Sequence, residues 1–301
     1  MIRVATAGWS YPDWAGRVHP QPLPRGVHPL ALLARVLDGV EVNATFYART
    51  RSQVVARWVE AVQGVPAFRF TVKASQRFTH GPVDLTSWEE EAQALHDALV
   101  PLLRRRLLSG VLVQFPATFH AGPDEVRRLG HIPSLLDPLP LVLEVRHRSW
   151  FEPPHLKSLG GLGYSVAHVD LPSSWDHPPA RFRPTGPIGY LRLHGRNHST
   201  WFQPGVGRDA RYDYLYSPPE IGELAERADA ISREVDETWV VTNNHFEGQA
   251  VANALELKWL LGGREPVAAP ATLVDAFPHL AALTRIEGQQ GMFGGEGGPR
   301  S

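Results

Sequence analysis

Eight short apolar runs divide the chain at fairly regular intervals, and no other feature restricts its fold so strongly. The runs are Arg3–Gly8, Val40–Thr45, Phe68–Lys73, Val111–Phe115, Leu141–Glu144, Tyr164–Asp170, Ile188–His194 and Thr238–Asn243. They are continuous rather than alternating, as expected of strands buried on both faces of a parallel sheet. Between them lie segments with helical spacing: Pro29–Leu37, Ser52–Val62, Thr86–Arg106, Pro123–Leu129, Pro153–Leu159, Pro218–Val235 and Glu247–Leu261. Several open on Pro, a helix-start signal. Ser52 is expected to cap its helix. Thr86–Arg106 has a Thr/Ser cap, acidic Glu89–Glu91 near its start and Arg104–Arg106 at its end, which suits the helix dipole. Pro101 is expected to kink it. Eight strand–helix units predict an α/β fold, a single parallel eight-stranded (β/α)8 barrel over residues 1–285, rather than an open doubly wound sheet. No G-x-G-x-x-G follows the first run, so the simplest dinucleotide site is excluded.

Two units depart from the rhythm. Pro172–Gly186, after strand six, is Pro-rich and without a helical pattern. Asn197–Ser217, after strand seven, is a long aromatic and polar loop. Long loops of this kind are usually lids or binding loops. Residues 286–301 are Gly-rich and read as a flexible tail.

Composition narrows the classes of function. Of 301 residues 43% are hydrophobic and 20% charged, enough for a sizeable core. Lys and Arg total 30 against 31 Asp and Glu, which excludes attraction of nucleic acid by bulk charge. There are no cysteines, so disulfide, zinc-ribbon, iron–sulfur and thiol-nucleophile chemistry are excluded together. The N-terminus opens directly as a strand, without signal-peptide character, and no apolar stretch is long enough for a membrane helix. The expectation is a cytoplasmic protein without membrane contact; the oligomeric state is left open.

In such a barrel the active site lies at the carboxyl ends of the strands. Seven of the eight runs end in polar residues: Glu41 and Asn43, Lys73, Gln114, Glu144 and Arg146, His168 and Asp170, Arg192 and His194, and Asn243 with Asn244. Four of these are i, i+2 pairs separated by Val or Leu, and residues two apart on a strand face the same way. Their polar face is therefore expected to look into the barrel mouth. A lone polar residue at a strand end is commonly a loop cap, and a structural salt-bridge network is the competing reading of the whole set. Yet buried unpaired charge costs several kcal/mol, so polar ends on seven strands, five of them bearing charged or titratable groups, imply use when gathered at one rim. Lys73 is one of three lysines against 27 arginines. Its position suits a compact point charge or a titratable amine, the alternative being a counter-ion to Glu41.

Aromatic residues surround these ends: Trp9 and Tyr11 with Trp14, Phe46 and Tyr47, Trp150, and Trp201, Tyr212, Tyr214 and Tyr216. They suit stacking on a sugar ring or base, loop packing being the plainer fate. His80 is placed to reach the rim. No H-E-x-x-H or EF-hand pattern occurs. Glu144, His168, Asp170 and His194 are the set that would hold a divalent metal, but Lys73, Arg146 and Arg192 would crowd a cation. An anion site is therefore favoured and no cofactor is expected.

The segments Ala7-Gly8-Trp9-Ser10-Tyr11, Glu41-Val42-Asn43-Ala44-Thr45-Phe46-Tyr47, Phe70-Thr71-Val72-Lys73, Gln114-Phe115-Pro116, Glu144 to Trp150, Arg192-Leu193-His194-Gly195 and Asn243-Asn244 carry a combined resemblance to the YecE-like family, domain of unknown function 72. It runs from residue 2 to about residue 262. The resemblance implies a TIM barrel with a pocket at these positions, and a tyrosine before helix seven, Tyr214 or Tyr216. It implies no established reaction. By fold analogy it sits near metal-dependent sugar isomerases and abasic-site endonucleases, whose full ligand sets are not evident here.

The expected function is an enzyme of hydrolase, isomerase or lyase type acting on a phosphorylated or carboxylated, sugar-like or nucleoside-like substrate. Arg146, Arg192 and Lys73 bind the anion, Glu41 or Glu144 serves as base, and His194 or Asp170 as acid. Asn43, Gln114 and Asn243 orient the ligand. The alternatives are a nucleic-acid binder or repair-type nuclease, and a non-catalytic small-anion sensor.

Overall fold

The computed structural model describes residues 1–287 apart from 202, 204 and 206. Its elements follow in the order β1 (Ile2–Ala7), α1 (Pro29–Leu33), β2 (Gly39–Val42), α2 (Ala44–Tyr47), α3 (Ser52–Ala61), β3 (Arg69–Lys73), α4 (Gln76–Thr79), α5 (Leu85–Arg104), β4 (Leu108–Gln114), α6 (Pro123–Leu136), β5 (Leu141–Glu144) and α7 (Pro153–Gly161). The second half runs β6 (Tyr164–Val166), β7 (His168–Asp170), β8 (Ile188–Leu193), α8 (His198–Trp201), α9 (Arg208–Tyr212), α10 (Pro218–Ser232), β9 (Glu237–Thr242), α11 (Gln249–Leu261), β10 (Val267–Ala269), α12 (Ala271–Ala276) and β11 (Thr284–Ile286). The wall is one parallel sheet in the order β6-β5-β4-β3-β2-β1-β9-β8-β7. The expected (β/α)8 barrel is therefore present, with its sixth strand in two pieces.

The break at Ala167 is where the barrel closes. β6 pairs with β5, whereas β7 pairs with β8. Side chains complete the seam. The Ser165 hydroxyl accepts the Ile188 amide at 3.1 Å, and Thr185 Oγ1 accepts the Val166 amide while donating to the Tyr164 carbonyl, both at 2.9 Å. Two small polar side chains thus replace ladder bonds that a continuous strand would make.

Inside, Ala5, Ala7, Leu112, Val142, Ala167, Ile188, Tyr190, Trp239 and Val241 form a buried plug. Trp239 is large enough that Gly39 opposite must lack a side chain: an added Cβ would lie 2.5 Å from the Trp239 ring and 2.7 Å from the Arg69 carbonyl. Outside, the helices pack on the wall as two apolar clusters. Unit six is the exception, because only irregular chain joins β7 to β8. The C-terminal β10 and β11 form a separate two-stranded parallel sheet. The Gly-rich tail expected from residue 286 falls almost wholly on residues 288–301, outside the described residues.

Several boundaries differ from the sequence reading. Strand two stops at Val42, because Asn43 already has helical backbone angles and starts α2. α5 is capped by Asp84, whose carboxylate accepts the Ser87 amide, and it continues through Pro101 to Arg104. α3 takes Ser52 as its first helical residue, with Arg51 in the cap position and no side-chain cap bond. α6 continues past Leu129 to Leu136.

Gly39→Ala is expected to destabilise the fold by about 1–3 kcal/mol through overpacking against Trp239. Gly130→Ala, on an open face of α6, is expected to stabilise it by up to about 1 kcal/mol. Urea unfolding should show the two midpoints moving in opposite directions with unchanged slope.

Candidate functional site

Arg192 on β8 lies at the centre of the barrel mouth. It is 2% exposed, and it bridges two carboxylates that are fully buried. Its Nε and Nη2 donate to Glu41 on β2 at 2.8 and 2.5 Å, and its Nη1 donates to Glu144 on β5 at 2.7 Å. Nη1 also approaches Gln114 Oε1 at 3.4 Å. Tyr190, two residues earlier and on the same inward face, donates its phenol proton to Glu41 at 2.9 Å. The Thr71 hydroxyl lies 2.9 Å from that phenol. Since the phenol's one proton goes to Glu41, Thr71 is the donor there. Arg146 donates through Nε to Glu144 at 2.7 Å. Burial alone would raise the Glu144 pKa, but Arg192, Arg146 and His194 outweigh it and hold it well below the usual carboxylate range.

His194 continues the network. Asn243 donates to its Nδ1 at 3.0 Å, which leaves the ring proton on Nε2, 3.2 Å from Glu144. Burial pushes the His194 pKa down to about 4 despite that carboxylate, so the imidazole is neutral at neutral pH. It can donate from Nε2 but does not carry a charge.

Lys73, at the end of β3, stands apart from this network. Its amine lies 3.7 Å from the centre of the Phe46 ring, and no carboxylate among the described residues comes within ion-pair distance. The residue is 8% exposed. Burial, reinforced by Arg192, lowers its pKa from 10.5 to about 7 against the pull of Glu41 and Glu144. Lys73 is thus not the counter-ion of Glu41, whose oxygens are taken by Arg192 and Tyr190. Helix α2 sets the position of the ring: the Thr45 hydroxyl donates to the Lys73 carbonyl at 2.6 Å, which fixes Phe46 beside the amine. His80 packs edge-on against the same ring. Burial, then Lys73, Arg146 and Arg128, lowers its pKa, so this side of the mouth is electropositive.

The structure brings Glu41, Lys73, Gln114, Glu144, Arg146, Arg192, His194 and Asn243 to one end of the barrel, with His80 at its edge. It does not bring His168 and Asp170 there. Val169 is registered with Arg192 and so shares its inward face; His168 and Asp170 point out of the barrel. His168 stacks on Phe182 at 3.8 Å. Asp170 is held by Arg196 and by Arg227 of α10 at 2.7 and 2.9 Å, and by the Tyr216 phenol at 2.8 Å. Burial would raise its pKa, but these partners lower it, so it is no proton donor. The metal set Glu144, His168, Asp170 and His194 is therefore split across the wall, and no cluster of three or more metal-binding side chains occurs among the described residues. These residues do not fit a metal at the mouth.

Other expectations also need correction. Trp150 is fully buried and donates to the Phe119 carbonyl at 2.7 Å, so it packs the core. Tyr47 is 64% exposed on α2, its ring edge-on to Phe46. Asn43 is half-buried at the start of α2 rather than on a strand. Asn244 is buried and donates to the Tyr214 carbonyl and to Asn253, holding the loop before α10. Trp9 packs edge-on against Trp58, and Tyr11 stacks on His245 at 4.3 Å. Neither candidate tyrosine before α10 faces the mouth: Tyr214 donates to Glu220, and Tyr216 accepts the Gly195 amide while donating to Asp170. Gly195 has φ of +88°, and an added Cβ would lie 2.8 Å from Tyr214, so this turn requires glycine. Instead Trp201 and Tyr212, from α8 and α9, lie 6.0 and 6.2 Å from the His194 ring. The residue missed altogether is Tyr190; its two-residue spacing from Arg192 was the available signal.

A family model described as "Protein of unknown function DUF72" matches residues 3–274. The chain belongs to that family. The DUF72 chain is 30% identical over 275 residues to the UPF0759 protein YunF of Bacillus subtilis, covering 87% of this chain and 95% of the relative. It is 32% identical over 155 residues to the UPF0759 protein YecE of Escherichia coli K12, half of each chain. A DUF72 crystal structure from Thermotoga maritima superposes with a TM-score of 0.74 at 32% identity, over 87% of this chain and 99% of that one. SacUVDE shares the fold at a TM-score of 0.51 and 11% identity, over 87% and 99% of the two chains. No helix among the described residues of the DUF72 protein is long and apolar enough to cross a membrane.

Arg192→Met should leave the buried Glu41 without a cation and Glu144 with Arg146 alone, and is expected to destabilise the protein by about 3–5 kcal/mol. Lys73→Met should do the opposite. Between pH 7 and 10.5 the unfolded chain holds a proton that folded Lys73 has lost, so the burden of burying this amine is greatest below pH 7 and fades as pH rises. A gain of about 1–2 kcal/mol at pH 7, shrinking towards pH 10, is expected from denaturant unfolding of the variant.

Proposed function

We propose that this DUF72 protein is an enzyme that binds a small anionic, sugar-like or nucleoside-like substrate at the carboxyl rim of its barrel and moves a proton through Lys73, without a metal. The observation that carries this reading is the Lys73 amine: buried, beside a ring, without a carboxylate partner, and titrating near neutrality. A group with a pKa near the working pH is best suited to exchange protons in a transition state. With a pKa of about 7, about half of the molecules hold the free amine at neutral pH. Glu41 and Glu144, the two alternatives expected from sequence for the base, have their oxygens occupied by Arg192, Tyr190, Arg146 and His194.

Each neighbour then has a role in this reading. Arg146 spends Nε and Nη2 on Glu144, which leaves Nη1 for the anionic group of the substrate. A bound anion offsets the repulsion that Arg192 and Arg146 exert on the ammonium, so Lys73 more readily holds the proton it has taken. Gln114 and Asn243 offer neutral hydrogen bonds. His194, neutral and with its proton on Nε2, is a polarising donor rather than a charged acid. Trp201 and Tyr212 supply apolar faces for a ring. Isomerase, lyase and hydrolase chemistry all use such a proton transfer.

A screen of sugar phosphates, sugar acids and nucleotides is the test. For a compound that is turned over, kcat/KM should rise with pH through a limb near 7, because the free amine is the active form. Lys73→Met and Lys73→Arg should each lower kcat by about 10²–10⁴-fold with little change in KM. Undiminished turnover in both variants would contradict the reading. So would binding of oligonucleotides at the rim with steep salt dependence, or tight binding of a small anion without turnover.

A further inference from the structure

The wall of the barrel has a gap where unit six lacks its helix. Unit six has no helix of its own: outside β7 lie the irregular segment 171–187 and the flank of α10, whose Arg227 reaches Asp170 and the Val169 carbonyl. Between that segment and the C-terminal half of α10 lies a cavity of about 280 Å³, close to the lower bound for small-molecule sites. Its lining includes His168, Arg181, Phe182, Arg183, Arg227 and Ile231.

Two features point to a ligand. His168 is 2% exposed and Arg227 3% exposed, yet His168 Nε2 and Arg227 Nε have no hydrogen-bond partner among the described residues. Buried polar atoms left unpaired are few in folded proteins and call for an explanation. The other two nitrogens of the Arg227 guanidinium are occupied by Asp170 and the Val169 carbonyl, at 2.9 and 3.2 Å, so Nε is an unused donor rather than a displaced side chain. Burial and the nearby Arg227 push the His168 pKa down to about 3, so its ring is neutral. The second feature is charge. Three arginines line the cavity against one carboxylate, Glu234, and Asp170 offsets only Arg227. Arg181 and Arg183 are exposed at its edge, where they would draw an anion inward. The remaining surface, from Phe182, Ile231, Ala180 and Ala230, is apolar.

We propose that this cavity is a second binding site, distinct from the barrel mouth, for a small organic anion with a flat apolar body, such as an aromatic carboxylate. The carboxylate accepts from Arg227 Nε and His168 Nε2, and the ring packs against Phe182 and Ile231. The site lies where unit six lacks a helix of its own.

Crystals grown with 4-bromobenzoate test this directly. Anomalous bromine density is expected between Phe182 and Ile231. In calorimetry, benzoate should bind the parent protein. Ala230→Trp, which fills the cavity from an exposed position on α10, should weaken that binding at least about tenfold. Arg181→Ala with Arg183→Ala should slow association and reduce its salt dependence. Inorganic phosphate, lacking an apolar body, should compete poorly. Bromine density elsewhere or nowhere, or benzoate binding unaffected by Ala230→Trp, would overturn the proposal. Equal competition by phosphate would overturn the apolar part of it.

Discussion

The structure of the site depends on one guanidinium. Arg192 crosses the barrel mouth and joins β8 to Glu41 on β2 and Glu144 on β5. Three buried charges in one small space are tolerable only when each is paired and hydrogen-bonded. That requirement explains the surroundings. Tyr190 completes the hydrogen bonds of Glu41 and in turn accepts from Thr71, and Arg146 and His194 complete those of Glu144. Asn243 fixes the tautomer of His194 in turn. The same satisfaction holds Glu144 well below the usual carboxylate range and leaves Lys73 buried without an ion pair, its pKa lowered by burial and then by Arg192.

The barrel itself was legible in the sequence because eight apolar runs and their intervening helices are long-range, redundant signals. The site was legible where strand parity could be anchored. Glu41, Lys73, Gln114, Glu144, Arg192 and His194 share an inward face, and the i, i+2 spacing of Arg192 and His194 holds. Parity failed in run six. Tyr164–Asp170 is buried on both faces, so alternation of polar and apolar residues carries no direction, and the two polar residues at 168 and 170 face helix α10 instead of the mouth. Asn43 departs for a different reason: the strand ends at Val42, three residues short of the apolar run, so Asn43 starts α2. Trp150 shows that an aromatic next to a charged strand end is no guide to exposure. Its indole found a backbone acceptor within the core.

Departures from barrel regularity concentrate in units six and seven. The broken strand, the absent helix and the long loop after β8 lie side by side, and Asp170 links them. It anchors Arg227 of α10, Arg196 of the loop and the Tyr216 phenol, which also receives the Gly195 amide. A carboxylate expected at the mouth thus organises the wall that carries Trp201 and Tyr212 over His194. Membership of the DUF72 family, with relatives at about 30% identity along nearly the whole chain, makes the barrel mouth and the open wall features to compare directly among these proteins.

The central claim is that Lys73 titrates near neutrality because its amine is buried beside Arg192 and forms no ion pair of its own. The chain has only three lysines, so a ¹⁵N or ¹³Cε titration of lysine-labelled protein resolves them individually. The account predicts that Lys73 titrates with a midpoint near 7, well below the ordinary range of a lysine amine. A Lys73 midpoint of about 10.4 would show that its amine is an ordinary cation, and the proposed chemistry of the rim would fall with it.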